Sequence, residues 1–204
     1  MTRPALCMVD LRYLNELQTA YIPVLWRPHH EMNGDWYCWV GRRGTNGTTA
    51  LYRQLFDRFQ NHQKLHNLLW VWSVDRPTTA ERQFADYFPG TNYFDVAALD
   101  AYRSDFKQDY YEGLLNLAAG KPWALAEVGP APTLAVLEEQ PRWAWWMTWD
   151  GFVGGRRGGD TNALQVLVNA PRSLSLNDPV YRALIAPIRA TSSRGPTSTV
   201  RVEP

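Results

Sequence analysis

Five short apolar runs constrain what this chain can fold into. They are Tyr21-Ile-Pro-Val-Leu-Trp-Arg27, Asn67-Leu-Leu-Trp-Val-Trp-Ser73, Phe94-Asp-Val-Ala-Ala-Leu-Asp100, Pro122-Trp-Ala-Leu-Ala-Glu127 and Trp143-Ala-Trp-Trp-Met-Thr-Trp149. Each has strand length and is apolar along its span rather than on alternate residues, the pattern of strands buried on both faces of a parallel sheet. Helical spacing appears between them: Leu11, Leu14 and Leu17 before the first run, then Leu51, Leu55, Phe59 and Leu65 across 49–66. Another helix is expected over 109–119, with Gly120 as its C′ residue. A Gly-rich loop, GGRRGGDTNA, follows the fifth run, and a short helix is expected near 178–188. Strands alternating with helices define an α/β protein, its sheet covered by helices.

The runs also share an ending. Polar groups close each one: His30-Glu31, Ser73 to Asp75, Asp100 to Tyr102, Glu127, and Trp149-Asp150. In βα folds functional groups collect at strand C-termini, so five such endings point to a barrel mouth. Helix capping is the plainer account of Ser73, Asp75 and Asp150. Glu31 and Glu127 stand 96 residues apart, each at the end of an apolar run. Glycosidic hydrolysis needs one carboxyl to protonate the leaving oxygen and a second at the anomeric carbon. Two unrelated acids, one solvated and one capping a helix, fit the spacing equally well.

Composition excludes several partners. A net charge of +1 gives no electrostatic case for nucleic acid or an anionic membrane. No apolar run approaches the ~20 residues of a membrane span, and the N-terminus does not read as a signal peptide. His62 and His66 have the i, i+4 spacing of a helical metal clamp but lack a third ligand, and the Gly-rich loop lacks the P-loop Lys-Ser/Thr ending. No metal or cofactor is expected. Cys7 and Cys38 are expected as free thiols. Asn46-Gly-Thr48 is a glycosylation sequon that matters only in a eukaryotic secretory route. The 10 Trp and 10 Tyr suit sugar stacking and an ordinary core alike. At 204 residues one domain is expected over 1–190, followed by a disordered Ser/Thr/Pro-containing tail over 191–204.

The segment IPVLWRPHHEMNGDWYCW resembles the acid/base segment of glycoside hydrolase family 26, whose best-known members are endo-β-1,4-mannanases. NLLWVWSVD, YFDVAALDAY, KPWALAEVG and WWMTWDGF fit in the same order, so the resemblance spans roughly residues 10–155. It implies a retaining hydrolase with Glu31 as acid/base and Glu127 as nucleophile. His30, Trp36, Trp72, Asp100, Tyr102 and Trp149 then match substrate-binding positions, with Tyr102 beside the nucleophile and Trp149 as a platform. Glu31 must stay protonated near neutrality, and Tyr102 and His30 are the expected hydrogen-bond donors to Glu127. Arg27 is expected either to orient a carboxylate or to form a structural salt bridge below the mouth.

The resemblance begins at the family's fourth barrel strand, and strands 1–3 have no counterpart. A full barrel takes ~250 residues. The implied fold is therefore a partial (β/α)8 barrel, strands 4–8, with open edges at 22–27 and 145–149 through which the chain is expected to self-associate. The implied partner is β-mannan, met outside the cell by a secreted full-length protein. The alternatives are a catalytically impaired β-mannan-binding protein, or a relative acting on mixed-linkage β-glucan or β-1,3-xylan.

Overall fold

The computed structural model describes residues 4–192. Within the first compact unit, Met1–Thr161, α1 (Pro4–Thr19) precedes β1 (Val24–Trp26). Leu11 and Leu14 of α1 are buried, as their spacing predicts. β1 is shorter and less buried than its apolar run suggests: Leu25 is 53% exposed. Pro23 and Pro28 bracket it, and neither can donate to a ladder.

α2 (Thr48–Asp57) also stops earlier than its hydrophobic spacing implies. The chain widens into a π-helical turn over Arg58–His62, and Lys64 then takes φ +56°. This break leaves His62 at the end of the π-helical turn and His66 in the connection to β2. His62 pairs with Asp57 at 3.2 Å instead.

β2 (Leu68–Asp75) and β3 (Val96–Ala101) are joined by 3₁₀ turns at Ala80–Arg82, Phe84–Tyr87 and Thr91–Tyr93. α3 (Gln108–Ala118) buries Tyr110, Tyr111, Leu114 and Ala118 and ends where Ala119 and Gly120 turn left-handed. β4 (Trp123–Val128) follows. Then comes α4 (Leu134–Glu139), a helix too short to show a periodic apolar pattern, whose cap is Thr133 Oγ1 accepting from the Val136 amide at 3.2 Å. β5 (Trp143–Thr148) completes the sheet, and the glycine-rich segment beyond it winds as a 3₁₀ helix over Asp150–Gly158.

All five strands are parallel, in the order β1-β2-β3-β4-β5. This is a half-barrel with its helices, a partial (β/α)8 architecture. One sheet face packs Trp70, Trp72, Leu99, Trp123, Leu125 and Trp143 into the main core with Tyr52, Phe59, Tyr111 and Leu114. The other face carries the small cluster Val71, Val96, Ala98 and Ala126, with Trp145 against it. Much of the tryptophan excess is therefore core material. β1 and β5 are the sheet edges.

The second unit, Asn162–Pro204, holds most of α5 (Thr161–Val168), whose first residues overlap the expected Gly-rich loop, and α6 (Pro179–Ser192), close to the expected helix. The tail expected from Thr191 begins as the last residues of α6, and residues 193–204 lie outside the described residues.

Candidate active site

Pro28 ends β1, and the chain turns sharply over residues 28–35. His29 and Glu31 adopt φ +52° and +51°, a left-handed conformation that costs a non-glycine residue energy and needs surrounding structure to hold it. Asn33 supplies much of that support. Its side chain is fully buried; Nδ2 donates to the carbonyls of Asp75 (2.7 Å) and Arg82 (2.9 Å), and Oδ1 accepts from the Asp75 amide (2.7 Å). The turn carrying Glu31 is thus fastened to the end of β2 and to the 3₁₀ turn at Ala80–Arg82.

Glu127 reaches the same place by a different device. Leu99 pairs with Leu125, but Asp100 pairs with Glu127, so one extra residue is taken up in β4. Strict alternation from Leu125 would send Glu127 to the helix-covered face, because a strand's side chains alternate with period two. The bulge turns it to the mouth beside Asp100. Asp75 pairs with Asp100 in turn, so three acids stand in a row at the C-terminal ends of β2, β3 and β4.

Arg27 joins the last two of these acids. Its Nη1 donates to both Asp100 carboxylate oxygens, at 3.0 and 3.1 Å, and its Nη2 donates to Glu127 Oε1. Ser73 Oγ donates to Asp100 Oδ1 at 3.2 Å. Tyr102 Oη donates to Glu127 Oε2 at 2.8 Å. Trp36 Nε1 donates to Glu31 Oε2. Glu31, Asp100 and Glu127 each bring a carboxylate oxygen within 4.8 Å of the others. The Arg27 guanidinium already supplies a cation to two of these three acids, and no histidine or cysteine joins them among the described residues.

Burial pushes the Glu31 carboxyl up to about 7; the Trp36 hydrogen bond opposes this, and Asp75 and Glu127 add to it. Burial also raises Asp100 well above the usual carboxylate range, against the pull of Arg27. Burial works against the Arg27 charge, but Asp100 and Glu127 outweigh it and raise its pKa. Tyr102 is raised by burial and by its bond to Glu127. Burial and the nearby Arg27 lower His30, and burial lowers His29 to about 4. The mouth therefore holds an acid that keeps its proton near neutrality, close to a second carboxylate held by a cation and a phenol.

Comparison with known proteins places this geometry. The glycosyl hydrolase family 26 model matches residues 8–174, most of the chain. The chain belongs to glycosyl hydrolase family 26. It is 32% identical over 170 residues to the mannan endo-1,4-beta-mannosidase of Thermothelomyces thermophilus, covering 81% of this chain and 33% of that protein. It is 35% identical over 157 residues to a Bacillus subtilis mannan endo-1,4-beta-mannosidase, covering 67% of this chain and 42% of that one. The solved structure of GH26A from Muricauda sp. superposes with a TM-score of 0.77 at 38% identity, covering 81% of this chain and 55% of that chain. The chain spans about a third to two fifths of the length of these curated relatives.

The family 26 chain brings together Glu31, Glu127, Asp100, Tyr102 and Trp36 of the residues singled out in its sequence. Trp149 stands at the same end of the sheet, 42% exposed, its amide donating to the Val128 carbonyl at 2.9 Å. Beside Glu127, a Cβ on Gly129 would lie 3.1 Å from the Tyr102 ring and 3.2 Å from Phe152, tighter than an ordinary contact. Trp72 is not in the site. It lies inside β2, fully buried against Phe88 and Phe94, and its Nε1 donates to Met32 Sδ. Period-two alternation, which a uniformly apolar run conceals, sends it to the core face.

The expected donor pair to Glu127 is also corrected. Tyr102 donates, but Arg27 takes the place foreseen for His30, whose ring packs at 4.7 Å from Tyr37 and 5.7 Å from Trp39. Ser73, for which helix capping is the plainer account in the sequence, bonds to Asp100 in the site, and Asn33 has no signal in a single sequence that distinguishes it from a turn residue. Cys38 is an exposed free thiol. Among the described residues, no helix is long and apolar enough to cross a membrane.

Proposed function

We propose that this chain carries the catalytic centre of a retaining endo-β-1,4-mannanase-type glycoside hydrolase, with Glu31 as acid/base and Glu127 as nucleophile. The observation that supports this reading is the approach of the two carboxyl groups within 4.8 Å, with Glu31 in a setting that retains its proton and Glu127 held by Arg27 and Tyr102. Retaining pairs stand about 5–5.5 Å apart, whereas inverting pairs leave room for a water at roughly 6.5–9.5 Å.

Glu31 gives its proton to the glycosidic oxygen as that bond breaks, while a Glu127 oxygen bonds to the anomeric carbon. Glu31, now ionised, takes a proton from water, whose oxygen attacks the same carbon and releases Glu127. Arg27 and Tyr102, on separate Glu127 oxygens, fix its orientation and follow its change of charge as the glycosyl bond forms and breaks. His30, Trp36 and Trp149 offer the sugar rings an imidazole and two half-exposed indole faces. A polysaccharide does not cross the cell membrane, so this reading carries an extracellular site of action.

The test is release of reducing ends from galactomannan, glucomannan, mixed-linkage β-glucan and β-1,3-xylan, with the anomer of the first product followed by proton NMR. β-Anomer release from mannan supports the reading. α-Anomer release overturns the nucleophile assignment, and retention on mannan with no cleavage makes the chain a binding protein. Cleavage of only a glucan or xylan replaces the substrate class.

A further inference from the structure

We propose that Arg82 is a positioning residue for Glu31: together with Gly34 it clamps the Trp36 indole so that its N–H stays on the Glu31 carboxylate. The proposal rests on the acid/base reading above for its catalytic meaning, but not for its geometry. Trp36 is 45% exposed, so burial alone does not fix its ring. The Arg82 guanidinium carbon lies 5.1 Å from the centre of that ring, within cation–π range. A Cβ at Gly34 would meet the indole Cζ2, Cε2 and Cη2 at 2.6–2.8 Å, so the ring lies where only a glycine permits it.

Arg82 is itself anchored. Its Nη2 pairs with Asp35 Oδ2 at 2.7 Å, and its carbonyl accepts from Asn33 at 2.9 Å. The same Asn33 amide holds the Asp75 carbonyl. The 3₁₀ turn bearing Arg82, the end of β2 and the turn bearing Glu31 are thereby linked into one support for the indole. A cation over the ring draws electron density from it and strengthens the N–H as a donor.

Donation from Trp36 favours ionised Glu31, against the burial that disfavours it. The other groups acting on Glu31 are Arg27 beyond β1, Asp75 at the end of β2, Asp100 in β3 and Glu127 in β4. Tyr37 and His30 come from its own turn, and Asp35 is paired with Arg82. Removing Arg82 loosens the donor and also takes a cation from Asp75 and Asp35, and the Trp36→Phe background separates the two effects.

The experiment follows the Glu31 carboxyl by carbon-13 NMR in the full chain without substrate, using side-chain-labelled glutamate and Glu31→Gln for assignment. Arg82→Ala is expected to raise the Glu31 pKa by about half a unit or more, since one hydrogen bond to the charged form is weakened. Arg82→Lys, which keeps a cation, should shift it less. Trp36→Phe should shift it at least as far, and Arg82→Ala should then add nothing, the non-additivity of groups acting through one contact. An unchanged titration in folded Arg82→Ala, judged by near-ultraviolet circular dichroism, overturns the proposal. So does an Arg82→Ala shift that persists in full in the Trp36→Phe background. Should Arg82→Ala not fold, Arg82→Gln and Arg82→Lys carry the same comparison. The titration pattern without any wild-type glycosidase activity would overturn the acid/base reading and leave the clamp standing.

Discussion

Asp100 pairs with Glu127 across β3 and β4, although their neighbours Leu99 and Leu125 pair one step earlier in register. That single displaced residue puts a carboxylate into the mouth that simple alternation would have buried under a helix. A partly buried cation, Arg27, holds both acids once they are there.

Loss of either proposed catalytic carboxyl should remove turnover while the fold persists. Glu31→Ala should lower kcat/KM on mannan by about 10²–10⁴-fold, the usual contribution of a positioned proton donor. A substrate whose leaving group needs no protonation should suffer much less. Reducing-sugar assays beside an aryl glycoside substrate make the comparison.

Arg27→Met should destabilise the chain by about 3–5 kcal/mol, because Asp100, fully buried, loses its bidentate cation. The double variant Arg27→Met/Asp100→Leu should recover part of that loss, as the stranded charge is gone. Denaturant unfolding of the three proteins gives the numbers.

The proton on Glu31 links stability to pH. Its folded pKa of about 7 lies above the 4.5 of an ordinary glutamate, so between those values the unfolded chain binds fewer protons than the folded one. Stability should therefore fall as pH rises from about 4.5 to about 7, by at most ~3 kcal/mol from this group. Glu31→Gln should abolish that slope and be relatively more stable at pH 8 than at pH 4. Thermal melts across this range test it, and the alkaline limb of wild-type activity should fall near pH 7.

Asn33→Ala should cost about 2–4 kcal/mol, because it leaves the Asp75 amide and two carbonyls without their partner. Activity should fall further than the unfolded fraction accounts for, since Glu31 holds its φ of +51° only while the turn is fastened. Kinetics well below the melting temperature separate the two effects.

The sheet edges should drive self-association. Leu25 on β1 and Leu69 on β2 pair in register and are both exposed, and Met147 on edge strand β5 is 47% exposed. Apolar edge strands recruit other chains. Size-exclusion chromatography should show oligomers that Leu25→Lys/Met147→Lys shifts toward the monomer. An unaltered monomeric profile for both proteins contradicts this.

The sequence by itself determined the five strands, their parallel order and the polar groups at their ends, because unbroken apolar runs of strand length bury on both faces only in a helix-covered sheet. It also determined Glu31 and Glu127 as the pair to examine. It overran β1 and α2, since local spacing does not register Pro23 and Pro28 on either side of a three-residue strand, or the turn that opens at Arg58. It misplaced Trp72, since an apolar run has no alternation from which to read a face. Only the tertiary structure decided that Glu127 faces the mouth, that Arg27 rather than His30 holds it, and that Asn33 and Arg82 brace the turn and the indole beside Glu31. Each of those depends on inter-strand register or on contacts between segments 40 or more residues apart, and neither is written in local spacing.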